Sequence, residues 1–87
     1  MATKIHVSGL AKDTDEQQIR EAFSKYGNVS DVQIVEHESP NPDEALVEMI
    51  DVQEAQKAIT HLHNHALNDK KVRVIQAPIG FKLIALN

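Results

Sequence analysis

The 87 residues carry 9 Lys and Arg against 13 Asp and Glu, a formal net charge of −4 with a pI near 5.6. That length suits one compact domain with one small core, and the acidic average repels a phosphate backbone, so any nucleic-acid contact needs a locally basic patch. Cysteine is absent, which excludes disulfides, thiolate zinc sites and a thiol nucleophile.

At 41% hydrophobic and 25% charged the composition is that of an ordinary globular domain. No stretch approaches the ~18 apolar residues of a membrane span, and "MATKIHVSG" has no apolar run of the kind that opens a secretory signal. An intracellular protein with no membrane association is the expectation.

Lys4 to Ser8 alternates Ile5 and Val7 with His6 and Ser8, the period of a half-buried strand. Thr14 with Gln17 reads as a capping box that opens a helix. Ile19, Ala22, Phe23 and Tyr26 lie on one face of that helix, and Gly27 is placed where a left-handed C-terminal cap is wanted. Val29 to Glu36 is the second predicted strand, with Val32 and Ile34 facing one way and Gln33 and Val35 the other. Ser39 to Asp43, with two prolines nearby, breaks the ladder, and Glu44 to Ile50 forms the third strand. Asp51 to Glu54 repeats the capping logic ahead of Ala55, Ala58, Ile59 and Leu62, a helix ending near His63. Asn64 to Asp69 is rich in turn formers, and Lys71 to Ile75 alternates as the last strand. The order βαββαβ predicts an α+β, ferredoxin-like fold, a four-stranded antiparallel sheet with both helices on one face. Residues 1–78 form that domain and residues 79–87 an apolar tail.

Three segments, "IHVSGL", "REAFSKYGNVSDVQI" and "KVRVIQA", resemble the RNA recognition motif family, and the resemblance spans about residues 3–77. It implies a non-catalytic single-stranded RNA binder. The family's strand-three signature, K/R-G-F/Y-G/A-F-V-x-F/Y, falls here on Pro42 to Met49. Ala45, Val47 and Met49 keep its small or apolar core-facing side. Pro42 stands in place of a basic residue, and Glu44 and Leu46 in place of both exposed aromatic rings. On strand one, His6 stands where the family usually has a ring.

Alternation assigns the open face of the sheet to His6, Ser8, Gln33, Val35, Glu44, Leu46, Glu48, Lys71, Arg73 and Ile75, among which there is no Phe, Tyr or Trp. Base–aromatic stacking contributes about 1–3 kcal/mol per base, so losing two or three rings removes roughly 3–6 kcal/mol, about two to four decades of affinity. RNA binding is therefore expected to be weak or atypical, through Lys4, His6, Ser8, Gln33, Leu46, Lys71 and Arg73. The alternative is a protein-interaction or homodimerisation module that uses Val35, Glu44, Leu46, Glu48, Ile75, Phe81 and Leu83.

His61 and His65 are spaced to chelate a metal only if their helix continues. It is predicted to end there with no carboxylate or thiol to complete a set, so no metal or cofactor is expected. No Gly-x-Ser-x-Gly elbow and no glycine run to hold phosphate are present, and Asp15, Glu16, Asp51 and Glu54 read as helix N-terminal charges. An enzyme is not expected. The stretch Ile79 to Leu86 is too apolar for a solvated end, and covering the sheet or pairing with a second copy are the two destinations it suggests.

Overall fold

The computed structural model describes residues 2–83. Its elements are β1 (Thr3–Leu10), α1 (Glu16–Ser24), β2 (Val29–Val35), β3 (Asp43–Met49), α2 (Val52–Leu62), β4 (Ala66–Leu67), β5 (Lys70–Lys71) and β6 (Arg73–Gln76). The main sheet has strand order β2-β3-β1-β6 with every neighbour antiparallel. One face carries Ile5, Val7, Val32, Ala45, Val47, Met49 and Val74 into a single cluster with Ile19 and Phe23 of α1 and Ala55 and Ala58 of α2. The α+β, ferredoxin-like fold expected from the element order is present. Among the described residues no helix is long and apolar enough to cross a membrane.

Two bulges adjust the alternation. Between Val7 and Leu10 the register of β1 against β3 slips, with Gly9 at φ +79°. The extra residue reverses the side-chain parity, so Leu10 reaches the core along with Ile5 and Val7. A Cβ at Gly9 would lie 3.3 Å from the Lys71 carbonyl oxygen, so both the positive φ and the close approach favour glycine. A second slip between Val29 and Asp31 lets Val29, Val32 and Ile34 all pack toward the helices.

Several local expectations are corrected. The N-cap of α1 is Asp15, which forms a capping box with Gln18, and the Thr14 hydroxyl instead accepts from the Asn68 amide at 3.2 Å. The C-cap is Lys25 in a right-handed conformation, so Gly27 does not supply a left-handed cap. It is needed for space, because a Cβ there would lie 2.2 Å from Oε1 and 2.5 Å from Cβ of Glu54. Lys71 belongs to the small β4–β5 ladder, where it pairs with Ala66, and not to the main sheet. Asn68 and Asp69, at φ +52° and +64°, close that hairpin as a two-residue turn with both central residues left-handed.

Candidate nucleic-acid interface

The face of the sheet turned away from the helices is built in rows by strand register. Gln33 pairs with Leu46, Leu46 with His6 and His6 with Ile75, so these four form the middle row. On one side of it Val35 pairs with Glu44 and Ser8 with Arg73. On the other, Asp31 pairs with Glu48 and Glu48 with Lys4. Lys4 and Arg73 are exposed and form no ion pair among the described residues. Lys71, also exposed, stands beside this face on the separate hairpin.

Beside the middle row a carboxylate stands between two imidazoles. Nε2 of His6 lies 2.7 Å from Oε1 of Glu44, and Nε2 of His37 lies 2.7 Å from Oε2. Side-chain exposures are 14% for His6, 30% for Glu44 and 9% for His37, so water reaches the carboxylate more easily than either ring. Burial by itself raises the Glu44 pKa, but hydrogen bonds and charge from His6 and His37 outweigh it and hold the carboxyl below the ordinary glutamate value.

His37 is fixed from three directions. Besides its ring contact, its backbone N–H donates to Oδ1 of Asp43 at 2.9 Å, and its carbonyl accepts from Nζ of Lys12. Lys12 also pairs with the same Asp43 carboxylate, which is 2% exposed. Burial raises the Asp43 pKa, and the bonds from Lys12 and the His37 backbone reverse that to a net lowering. This clamp ties the loop after β2 to the end of β1. It also neutralises Lys12, which removes one cation from the vicinity of the face.

The chain returns over this face after β6. Ala77 still donates its N–H to the Lys4 carbonyl, at 2.8 Å. Pro78 cannot donate to a ladder, and Gly80, at φ +81°, lets the segment turn. The Phe81 ring then lies 4.6 Å from the His6 ring, centroid to centroid, tilted by 42°. Leu46, although on the side away from the helices, is only 7% exposed. Of the other residues assigned to the face, Ser8, Val35, Glu48, Ile75, Phe81 and Leu83 are half-buried and Gln33 is exposed. The tail residues Ile84, Ala85, Leu86 and Asn87 lie outside the described residues.

The remaining histidines are elsewhere. His61 stacks on Tyr26 at 5.0 Å and its Nδ1 lies 2.8 Å from the Lys57 carbonyl oxygen. His63 uses Nδ1 to accept the Val74 N–H, and Nδ1 of His65 lies 3.2 Å from the His63 carbonyl oxygen. Among the described residues no group of His, Asp and Glu is arranged to hold a metal ion. His37 and Lys12 were missed from sequence. Extending the alternation of Gln33 and Val35 by one step reaches His37, so that signal was available. Lys12 lies in a loop and carries no comparable mark.

The RNA recognition motif model matches residues 5–73. The glycine-rich RNA-binding protein 5, mitochondrial, of Arabidopsis thaliana is 36% identical over 75 residues, which is 84% of this chain and 26% of that protein. The chain thus spans about a quarter of that relative's length. Among solved structures, the third recognition-motif domain of Mip6 superposes with a TM-score of 0.82 at 25% identity, covering 87% of this chain and 93% of the other. A Sex-lethal protein–RNA complex superposes at 0.76 and 25% identity, covering 86% and 47%. On the breadth of the family match, the chain belongs to the RNA recognition motif family.

Proposed function

We propose that this chain is a non-catalytic module that binds single-stranded RNA weakly on the open face of its sheet. The observation that carries this reading is His6, which stands in the middle row where the family stacks a base and is held there through Nε2 by Glu44. With its edge bonded to the carboxylate, the imidazole has only a ring face to offer. Lys4, Lys71 and Arg73 supply phosphate contacts around it, and Ser8, Gln33 and Leu46 supply polar and apolar contacts to bases. The RNA seen with the Sex-lethal neighbour is consistent with this assignment.

Low affinity follows from the residues that replace the family's rings. Glu44 and Glu48 place negative charge on the face that would meet phosphates, and the whole chain carries −4. A second reading, protein interaction or homodimerisation through Val35, Leu46, Ile75, Glu44, Glu48, Phe81 and Leu83, is supported by the apolar Leu46 and Ile75 of the middle row beside two carboxylates. The discriminating experiment is an amide-resolved NMR titration with a pool of short single-stranded RNAs at low salt. Shifts at Lys4, His6, Gln33 and Arg73 that fade as salt rises support RNA binding. Unmoved amides at near-millimolar RNA reject it, and a dimer mass in sedimentation then favours the second reading.

A further inference from the structure

We propose that the turn Pro78–Phe81 is a gate over the sheet, and that the Phe81 ring sits on His6 in the seat a nucleobase would take, so that ring and base compete. The inference rests on the RNA-binding reading above and adds a mode of regulation to it.

The seat is apolar and already covered. His6 is flanked in register by Leu46 and Ile75, and Leu46 is 7% exposed on a face with no helix over it among the described residues. The ring over His6 is at 4.6 Å and tilted, a separation typical of aromatic pairs. Phe81 is the only Phe, Tyr or Trp near this face, since Phe23 is in the core and Tyr26 lies against His61.

The leash is built to open. Past Ala77 the one backbone hydrogen bond of the segment among the described residues, from the Phe81 N–H to the Pro78 carbonyl at 3.0 Å, lies within the turn and does not tie it to the sheet. Its apex, Ile79, is fully exposed at 107%, and Gly80 is in open space with no atom within 4 Å of a built Cβ. Swinging the turn away disturbs no ladder of the main sheet. His6 need not follow it, because the imidazole is anchored to Glu44 and through that carboxylate to His37. Opening therefore leaves a preformed seat of His6, Leu46 and Ile75.

For such a gate the apparent dissociation constant is that of the open state divided by the open fraction. A closed state favoured about fivefold, ~1 kcal/mol at 1.4 kcal/mol per decade, weakens binding by about that factor. The test is fluorescence anisotropy of a labelled random-sequence RNA heptamer with the wild-type chain, Phe81→Ala and Phe81→Leu, each checked for cooperative unfolding. Phe81→Leu retains the apolar contact if the alanine variant unfolds. Tightening of about fivefold in Phe81→Ala, and a smaller gain in Phe81→Leu, supports the gate. Equal or weaker binding by the variants, with the wild type binding, overturns the gate and leaves RNA binding standing. No binding by any of the three up to millimolar protein overturns both.

Discussion

Replacing Glu44 by alanine removes the acceptor shared by two imidazoles. Hydrogen bonds to a charged group contribute about 1.5–3 kcal/mol each when well buried, but a carboxylate that water reaches earns less, so the two together are expected to give ~1.5–3 kcal/mol and not twice that. The 30% exposure of Glu44 is what sets this discount. For a domain of this size the loss is a fall in Tm of about 6–24 °C. The pH dependence makes the test specific. The Glu44 carboxyl is depressed in the folded state by His6 and His37, against burial that acts the other way. Its stabilisation is therefore complete above the unfolded glutamate value of ~4.3 and is lost as pH falls through the lower, folded value. Urea denaturation of wild type and Glu44→Ala at pH 7 and pH 3 reads the difference directly. A gap of ~1.5–3 kcal/mol at pH 7 that is smaller at pH 3 is expected. An equal gap at both pH values would refute the assignment, because a neutral packing role does not titrate.

Three further outcomes are expected. Gly27→Ala forces a Cβ within 2.5 Å of three Glu54 atoms, including that residue's own Cβ, and should lower stability by about 1–3 kcal/mol in the same urea assay. Should Gly27→Ala prove neutral, the close approach of the two segments is wrong. His63→Ala strips the acceptor from the part-buried Val74 N–H and should cost about 1–2 kcal/mol, with Val74 losing amide-exchange protection first. Arg73→Ala should lower the salt dependence of RNA binding by about one phosphate contact, and an unchanged slope of log affinity against log salt places Arg73 outside the interface.

The alternation of apolar and polar residues was enough to place the four strands of the main sheet, because away from two bulges each has its core-facing residues at every second position. It could not reveal the bulges, since an inserted residue changes parity without changing composition. Gly9 was the only trace of the first, and Ser30 left none. The small hairpin was read as turn alone because two-residue strands are too short to show a period, although Asn68-Asp69 is a pair suited to a left-handed turn. Thr14 and Asp15 both suit an N-cap, and the choice between them was made by Asn68, which is 54 residues away from Thr14 and bonds its hydroxyl. The pairing of His6 and His37 with one carboxylate was likewise invisible, since it depends on a register and a loop clamp set by residues far apart in sequence.

The family match and the unusual face coexist because β3 separates them residue by residue. Ala45, Val47 and Met49 point to the helices and are fully buried, so selection for packing alone keeps them close to the family pattern. Glu44, Leu46 and Glu48 point the other way and bear none of that load, so the surface that meets a ligand can change while the fold does not. Here it has changed toward internal satisfaction: the carboxylate at Glu44 is bonded to His6 and His37, and the His6 ring face is against Phe81. Under the gate proposed above, an incoming base displaces Phe81 and approaches the Glu44 carboxylate, which stands where the family signature has an aromatic ring. Removing the ring and removing the charge act on separate costs, so their effects on RNA affinity should combine close to additively if Glu44 acts through charge alone. If Glu44 also holds His6 in place for stacking, the double variant will bind more weakly than that sum predicts.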